Sequence, residues 1–235
     1  MRIRTLLLAI VVLLCAYHAG AQVEQVLKKI GQKDELSPEK VASGLKEALL
    51  VGTENAVRET GRPDGYFGNP SIRIPMPEKL QTMEKGLRAV GYGDDVDEFI
   101  LSMNRAAERA APEAKAIFWD AIRAMSFRDA QKILNGSDTA ATDYFRRRTS
   151  ERLAAAFRPI VADAMNEVGV TRQFKELVGR AQSIPFLKLE EFDLDDYVVR
   201  KGLVGLFTVL AEEERKIRRE PAARVTDLLK EVFGR

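Results

Sequence analysis

The chain has 235 residues, with 37 lysines and arginines against 35 acidic side chains and only one cysteine and one histidine. Both scarce residues, Cys15 and His18, fall within the first 21 positions together with Arg2 and Arg4, so the remaining 214 positions carry 35 basic and 35 acidic side chains and neither cysteine nor histidine. Within those 214 residues there can be no Ser-His-Asp triad, no Cys-His nucleophile, no disulfide framework and no thiolate-imidazole zinc site. The null charge also gives no basic excess for nucleic acid or an anionic membrane surface.

The amino terminus has the layout of an export signal. Met1 to Arg4 supply positive charge, Leu6 to Leu14 form an uninterrupted apolar run, and Ala19-Gly20-Ala21 places small residues where a signal peptidase reads. That run is far shorter than the roughly 20 residues that span a bilayer as a helix. The spacing predicts cleavage between Ala21 and Gln22, giving an exported chain, periplasmic or secreted, with no transmembrane segment. Leu14 before Cys15 argues against a lipoprotein, and the separation of Arg2 from Arg4 argues against a twin-arginine signal.

Residues 22–36 read as a short amphipathic helix over 23–30, closed by Gly31, followed by a polar connector. A helical domain then occupies 37–235. Ser37-Pro38-Glu39 is a helix start, with a hydroxyl cap, proline at the first position and an acid in the first turn. Leu45, Leu49, Gly52 and Ala56 recur at helical spacing and predict a helix over 41–60. After Gly61 to Gly65, the 66–77 segment holds three prolines and alternates Ile72-Arg73-Ile74, so an extended Pro-rich loop is expected. Helices are predicted over 78–90, stopped by Gly91 and Gly93, and over 94–111, where Phe99, Met103, Ala106, Ala107 and Ala110 share a face whose alanines call for close helix approach. Pro112 ends or kinks that helix, and the pattern resumes over 113–125. Ser126 with Asp129 resembles a capping box for a short helix closed by Asn135-Gly136. Further helices are expected over 139–157, 159–168, 171–181, 193–219 and 221–233, with Pro159 and Pro221 in first turns. The sum is an all-α, single-domain multi-helix bundle.

Gly44-Leu45-Lys46-Glu47-Ala48-Leu49, Asp64-Gly65-Tyr66-Phe67, Ile72-Arg73-Ile74-Pro75-Met76-Pro77, Ser102-Met103-Asn104-Arg105-Ala106-Ala107-Glu108, Asp129-Ala130 with Ile133-Leu134, Ala140-Ala141-Thr142-Asp143-Tyr144-Phe145-Arg146 and Glu213-Glu214 with Ile217-Arg218 occur in that order. This ordered set resembles the bacterial family known as domain of unknown function 4197, across nearly the whole chain beyond the signal. The resemblance implies an exported, mainly helical bacterial protein, and carries no activity, cofactor or catalytic residue with it.

Candidate polar residues fall in two groups. On the last long helix Val199, Leu203, Leu206, Phe207, Leu210 and Ile217 form an apolar stripe, and Glu214 projects between the directions of Leu203 and Phe207. A carboxylate there is at least partly buried and needs a cation. Arg218, four residues on, is the local choice; Arg152, placed among Ala141, Phe145, Thr149 and Ala156, is the second. The other group is Asn104, at the border of an apolar face, with Arg105 and Glu108 pointing further toward solvent. Each group reads first as structural and second as a ligand-binding or catalytic cluster. The Arg146-Arg147-Arg148 triplet points in three directions on a helix and reads as a solvated face. Tyr66, Phe67, Trp119 and Tyr144 read as core or loop anchors. Asp94, Asp95, Asp97 and Glu98 lack the glycine and spacing of an EF-hand, no phosphate-binding glycine loop occurs, and Ser-Lys catalysis is not expected. No metal or cofactor is expected.

These features favour a binding or structural protein of the bacterial cell envelope, with an envelope protein or a small amphiphilic ligand as partner and no nucleic acid. The alternative is a periplasmic hydrolase or lyase that works with carboxylates alone, Glu214 or Glu108 serving as acid or base. Amino-terminal sequencing of exported material should return Gln22 as the first residue, and recovery of Met1 would overturn the export reading.

Overall fold

The computed structural model describes residues 38–169, 171–174 and 193–220. The chain divides at residue 40 into two units, and the architecture from Val41 onward is that of the second. Its helices are α1 (Pro38–Gly61), α2 (Gln81–Ala89), α3 (Gly93–Ala110), α4 (Ala114–Arg123), α5 (Phe127–Leu134), α6 (Ala140–Glu167) and α7 (Leu194–Arg219), with 3-10 turns at Glu78–Leu80 and Ala111–Glu113. No strand occurs among the described residues, and the fold is all-α. The signal region, the Ser37 cap, the helices expected at 23–30 and 221–233 and most of that expected at 171–181 lie outside the described residues; positions 171–174 are helical.

Local chemistry sets the helix ends. Helix α5 begins with a capping box, in which the Ser126 hydroxyl accepts from the Asp129 amide at 3.1 Å and the Asp129 carboxylate accepts from the Ser126 amide at 3.2 Å. Helix α2 ends at Gly91, whose φ of 96° is left-handed; the Gly91 amide donates to the Arg88 carbonyl and the Tyr92 amide to the Leu87 carbonyl, the paired bonds of a Schellman ending. Because Gly91 completes that stop alone, Gly93 is free to open α3 instead of ending α2.

One expectation fails on α6. Pro159 was expected to begin a new helix, yet α6 runs unbroken from Ala140 to Glu167 with Pro159 inside it. An interior proline removes one helical hydrogen bond and costs about 3 kcal/mol. The stripe Leu153, Phe157, Val161 and Met165 is completely buried on both sides of the proline, and burying each such side chain stabilises by about 1.5–3 kcal/mol. Packing outweighs the break. Pro159 and Ala155, whose carbonyl loses its donor, lie on the exposed face where water can reach.

Helix α6 is the central element and touches α3, α4, α5 and α7. Phe118, Phe145 and Phe207 meet there edge to face, with Phe118 centred 5.2 Å from Phe145 and 6.2 Å from Phe207. The small residues on α3 do allow a close crossing, since a Cβ added at Gly202 of α7 would lie 3.4 Å from that of Ala107.

Between α1 and α2, residues 63–72 run through successive turns and 73–77 carry neither helix nor turn. Tyr66 pins this loop. It is completely buried, its hydroxyl donates to the Gly202 carbonyl at 2.6 Å, and burial pushes the phenol well above its ordinary range. The ring lies against Gly205, where an added Cβ would sit 2.5 Å from Tyr66 Cε1. Gly205→Ala should therefore lower stability by about 1–3 kcal/mol through overpacking, measured by urea denaturation; an unchanged midpoint would show that the ring is not held there.

Candidate functional site

Glu214 and Arg218 project from the last turns of α7 into the junction between α5 and α6. Glu214 Oε1 accepts from the Ala141 amide at 3.0 Å and from Arg218 Nε and Nη2 at 3.1 and 2.9 Å. Its Oε2 accepts from the Thr142 amide and the Thr142 hydroxyl, both at 2.9 Å. Arg218 Nη2 in turn donates to the Ile133 carbonyl at 2.8 Å, and Nη1 to that of Leu134 at 3.4 Å. The anion thus sits on the amides that begin α6 and the cation on the carbonyls that end α5, each at the helix pole of opposite sign. Both side chains are largely buried, Glu214 at 7% exposure and Arg218 at 13%. A carboxylate offers about four lone-pair directions, and five donors converge on this one, so no acceptor capacity is left for a substrate proton.

The structure joins Arg218, but not Arg152, to Glu214. Arg152 is half-exposed and donates to Asp120 of α4 at 2.9 Å. Glu214 meets α6 at its first turn, and Arg152 lies eleven positions further on, about 16 Å along the axis at 1.5 Å per residue. The helical wheel gives direction around a helix but not depth along it, and here depth decides.

Asn104 and Glu108 correct a second expectation. Glu108 does not point to solvent; it is buried, because the 63–77 loop folds over this face of α3. Its Oε1 accepts from the Tyr66 and Phe67 amides at 3.0 and 3.2 Å, and Oε2 accepts from Arg105 Nη1 at 2.6 Å. Arg105 is half-exposed and also reaches Asp64 at 2.7 Å. Asn104 is completely buried and grips Ile74 at both ends, accepting from its amide at 2.8 Å and donating to its carbonyl at 2.9 Å. The second donor bond of Asn104 goes to the Ile100 carbonyl at 2.8 Å. These three residues fasten the loop, and the two groups of candidates form separate clusters instead of one centre.

Two open spaces lie among the described residues near these clusters. A slot between α1, the start of α6 and the end of α7 is walled by Leu45, Leu49, Phe145, Leu210 and Ile217, with the Glu214–Arg218 pair at its end; it has about 20 Å³ of space for water centres, room for a single water. A larger groove of about 200 Å³ lies between α5 and α6, with the charged and polar side chains of Asp129, Lys132, Ser137, Asp143, Tyr144 and Arg147 set among the apolar ones of Ile133 and Ala140. Sequence reading missed this groove, whose only signal was acids and bases at helical spacing on two consecutive helices. Two Ser-x-x-Lys spacings also escaped it, at 37–40 and 43–46; Ser43 and Lys46 form no hydrogen bond with each other, and Ser37 lies outside the described residues. Tyr66 and Tyr144 are buried anchors, and Phe67 and Trp119 are half-buried. No group of three or more acidic, histidine or cysteine side chains among the described residues could hold a metal.

Fold and site together define an all-α protein whose buried charges clamp helix ends and loop backbone. Residues 35–234 match the family described as "Protein of unknown function (DUF4197)", and the chain belongs to that family. No curated protein and no solved structure matches it.

Breaking a buried ion pair typically removes about 3–5 kcal/mol. Glu214→Gln and Arg218→Met should each destabilise by about that amount in urea denaturation, whereas Arg152→Met should leave stability unchanged. Equal, small effects of all three would show that the clamp does not hold the junction.

Proposed function

We propose that this protein is exported and acts by binding in the bacterial cell envelope, where it recognises an envelope protein or a small amphiphilic ligand. The observation that carries this reading is the use of both buried carboxylates to hold backbone. Glu214 takes five donors and is filled, and Glu108 takes three, two of them loop amides, so both carboxylates are engaged in holding backbone, which disfavours the proton exchange of a general acid or base. The hydrolase or lyase alternative needs a polar cavity converging on one of them, and the space beside Glu214 is small and apolar-walled.

The way α1 is attached supports the same reading. From Val41 to Thr53 no hydrogen bond or ion pair among the described residues joins α1 to another element; its polar anchors are Glu54, bonded to Lys115, and Asn55, bonded to Glu213. The half of α1 that covers the slot is thus held by side-chain packing alone. Apolar contacts of that kind yield to an apolar guest more readily than a hydrogen-bonded seal does. Across the described residues no helix is long and apolar enough to cross a membrane.

The full chain, recovered from envelope extract and analysed by native mass spectrometry, should carry an envelope protein or an amphiphile and show no turnover in a hydrolase and lyase screen. Turnover abolished by Glu214→Gln with the fold intact, and nothing retained from extract, would overturn the proposal.

A further inference from the structure

The groove between α5 and α6 stands apart from the apolar slot and has different chemistry. Helix α5 brings Asp129 and Lys132, three residues apart, and α6 brings Asp143 and Arg147, four apart, with Tyr144 and Ser137 between the two sets. An acid followed by a base at these spacings ordinarily closes into an ion pair on the helix surface. Here neither pair closes into a hydrogen bond, although Arg148 and Lys132 both act on the Asp129 charge from further off. Lys132 and Arg147 make no hydrogen bond or ion pair among the described residues, and Asp143 reaches only Arg146, at 3.9 Å. Asp129 uses Oδ2 for both bonds from Ser126, leaving Oδ1 without a hydrogen bond. Those bonds, the hydroxyl of Ser126 first, hold the Asp129 carboxyl below its ordinary range, so it is charged at neutral pH. Four formal charges of balanced sign therefore stand around a space of about 200 Å³.

The surrounding backbone narrows what this space can take. An anion alone would look for the amides that open α6, but those of Ala141 and Thr142 are bonded to Glu214. A cation alone would look for the carbonyls that end α5, but those of Ile133 and Leu134 are bonded to Arg218. The charged side chains lining the groove are two of each sign, and a guest of one sign meets repulsion from half of them. A guest that carries both signs can set each of its charges against a pair of opposite sign. We propose that the α5–α6 groove is a binding site for a small zwitterion of the amino-acid class, its carboxylate held by Lys132 and Arg147 and its ammonium by Asp129 and Asp143.

The test is a titration of the isotopically labelled full chain, followed by amide chemical shifts, with glycine, acetate and methylammonium as separate probes. Glycine should give saturable shifts centred on the groove, and acetate and methylammonium, each with one of its two charges, should bind at least about tenfold more weakly. Arg147→Gln and Asp143→Asn, both at surface positions on α6, should each weaken glycine binding by about tenfold while circular dichroism stays unchanged. Acetate binding as tightly as glycine, indifference to both substitutions, or no saturable shift up to about 100 mM would overturn the proposal.

Discussion

A short helix followed closely by a long one leaves two sets of unpaired backbone groups side by side, the carbonyls that end the first and the amides that begin the second. At the α5–α6 junction the linker at 135–137 is exposed, but the Ala141 and Thr142 amides are buried against Glu214, where water does not pair them. The answer comes from a different helix, one turn of which carries an acid and a base four residues apart. Glu214 and Arg218 neutralise each other, so neither is a lone buried charge, and each also meets the backbone pole that suits it. The same helix α7 also supplies the crossing at Gly202 and the seat for the Tyr66 ring.

The α3 face repeats the principle with a loop instead of helix ends. Glu108 takes the amides of Tyr66 and Phe67, while Asn104 pairs with both polar groups of Ile74 much as a neighbouring strand would. A loop so rich in proline cannot satisfy its own backbone by helix or sheet, and a buried amide left unpaired would cost about 1–3 kcal/mol. Polar side chains on a flat helix face supply what the loop lacks. In both places buried charge serves the backbone.

How much of this was legible in the sequence depends on the range of each interaction. The capping box at Ser126 and Asp129, the stop at Gly91 and the pairing of Glu214 with Arg218 all lie within four or five residues, and each could be read from spacing. The continuity of α6 through Pro159 could not, because the proline's local penalty is visible in the sequence while the burial that outweighs it belongs to partners on other helices. Glu108 looked solvent-facing because the wheel of α3 shows only its own apolar stripe; the loop that covers it arrives from about forty residues away. Arg152 and Glu214 share a direction but not a level. The polar groove needs α5 and α6 to be placed against each other before its four charges become one feature.

The clamp also bears on when the fold can close. Glu214 and Arg218 lie more than seventy residues beyond the helix ends they complete, and the carbonyl that receives the Tyr66 hydroxyl lies 136 residues beyond that tyrosine. Both fastenings come from the last described helix, and contacts of such separation form late and slowly. A chain emerging from its amino terminus can build α1 to α6 as local helices and tie the 63–77 loop to α3, yet the α5–α6 ends stay open and the Tyr66 hydroxyl lacks its acceptor until α7 has been made. Completion of the backbone is therefore tied to completion of the polypeptide: a version shortened before residue 214 would lose the clamp, and one shortened before residue 202 would lose the acceptor of the Tyr66 hydroxyl as well.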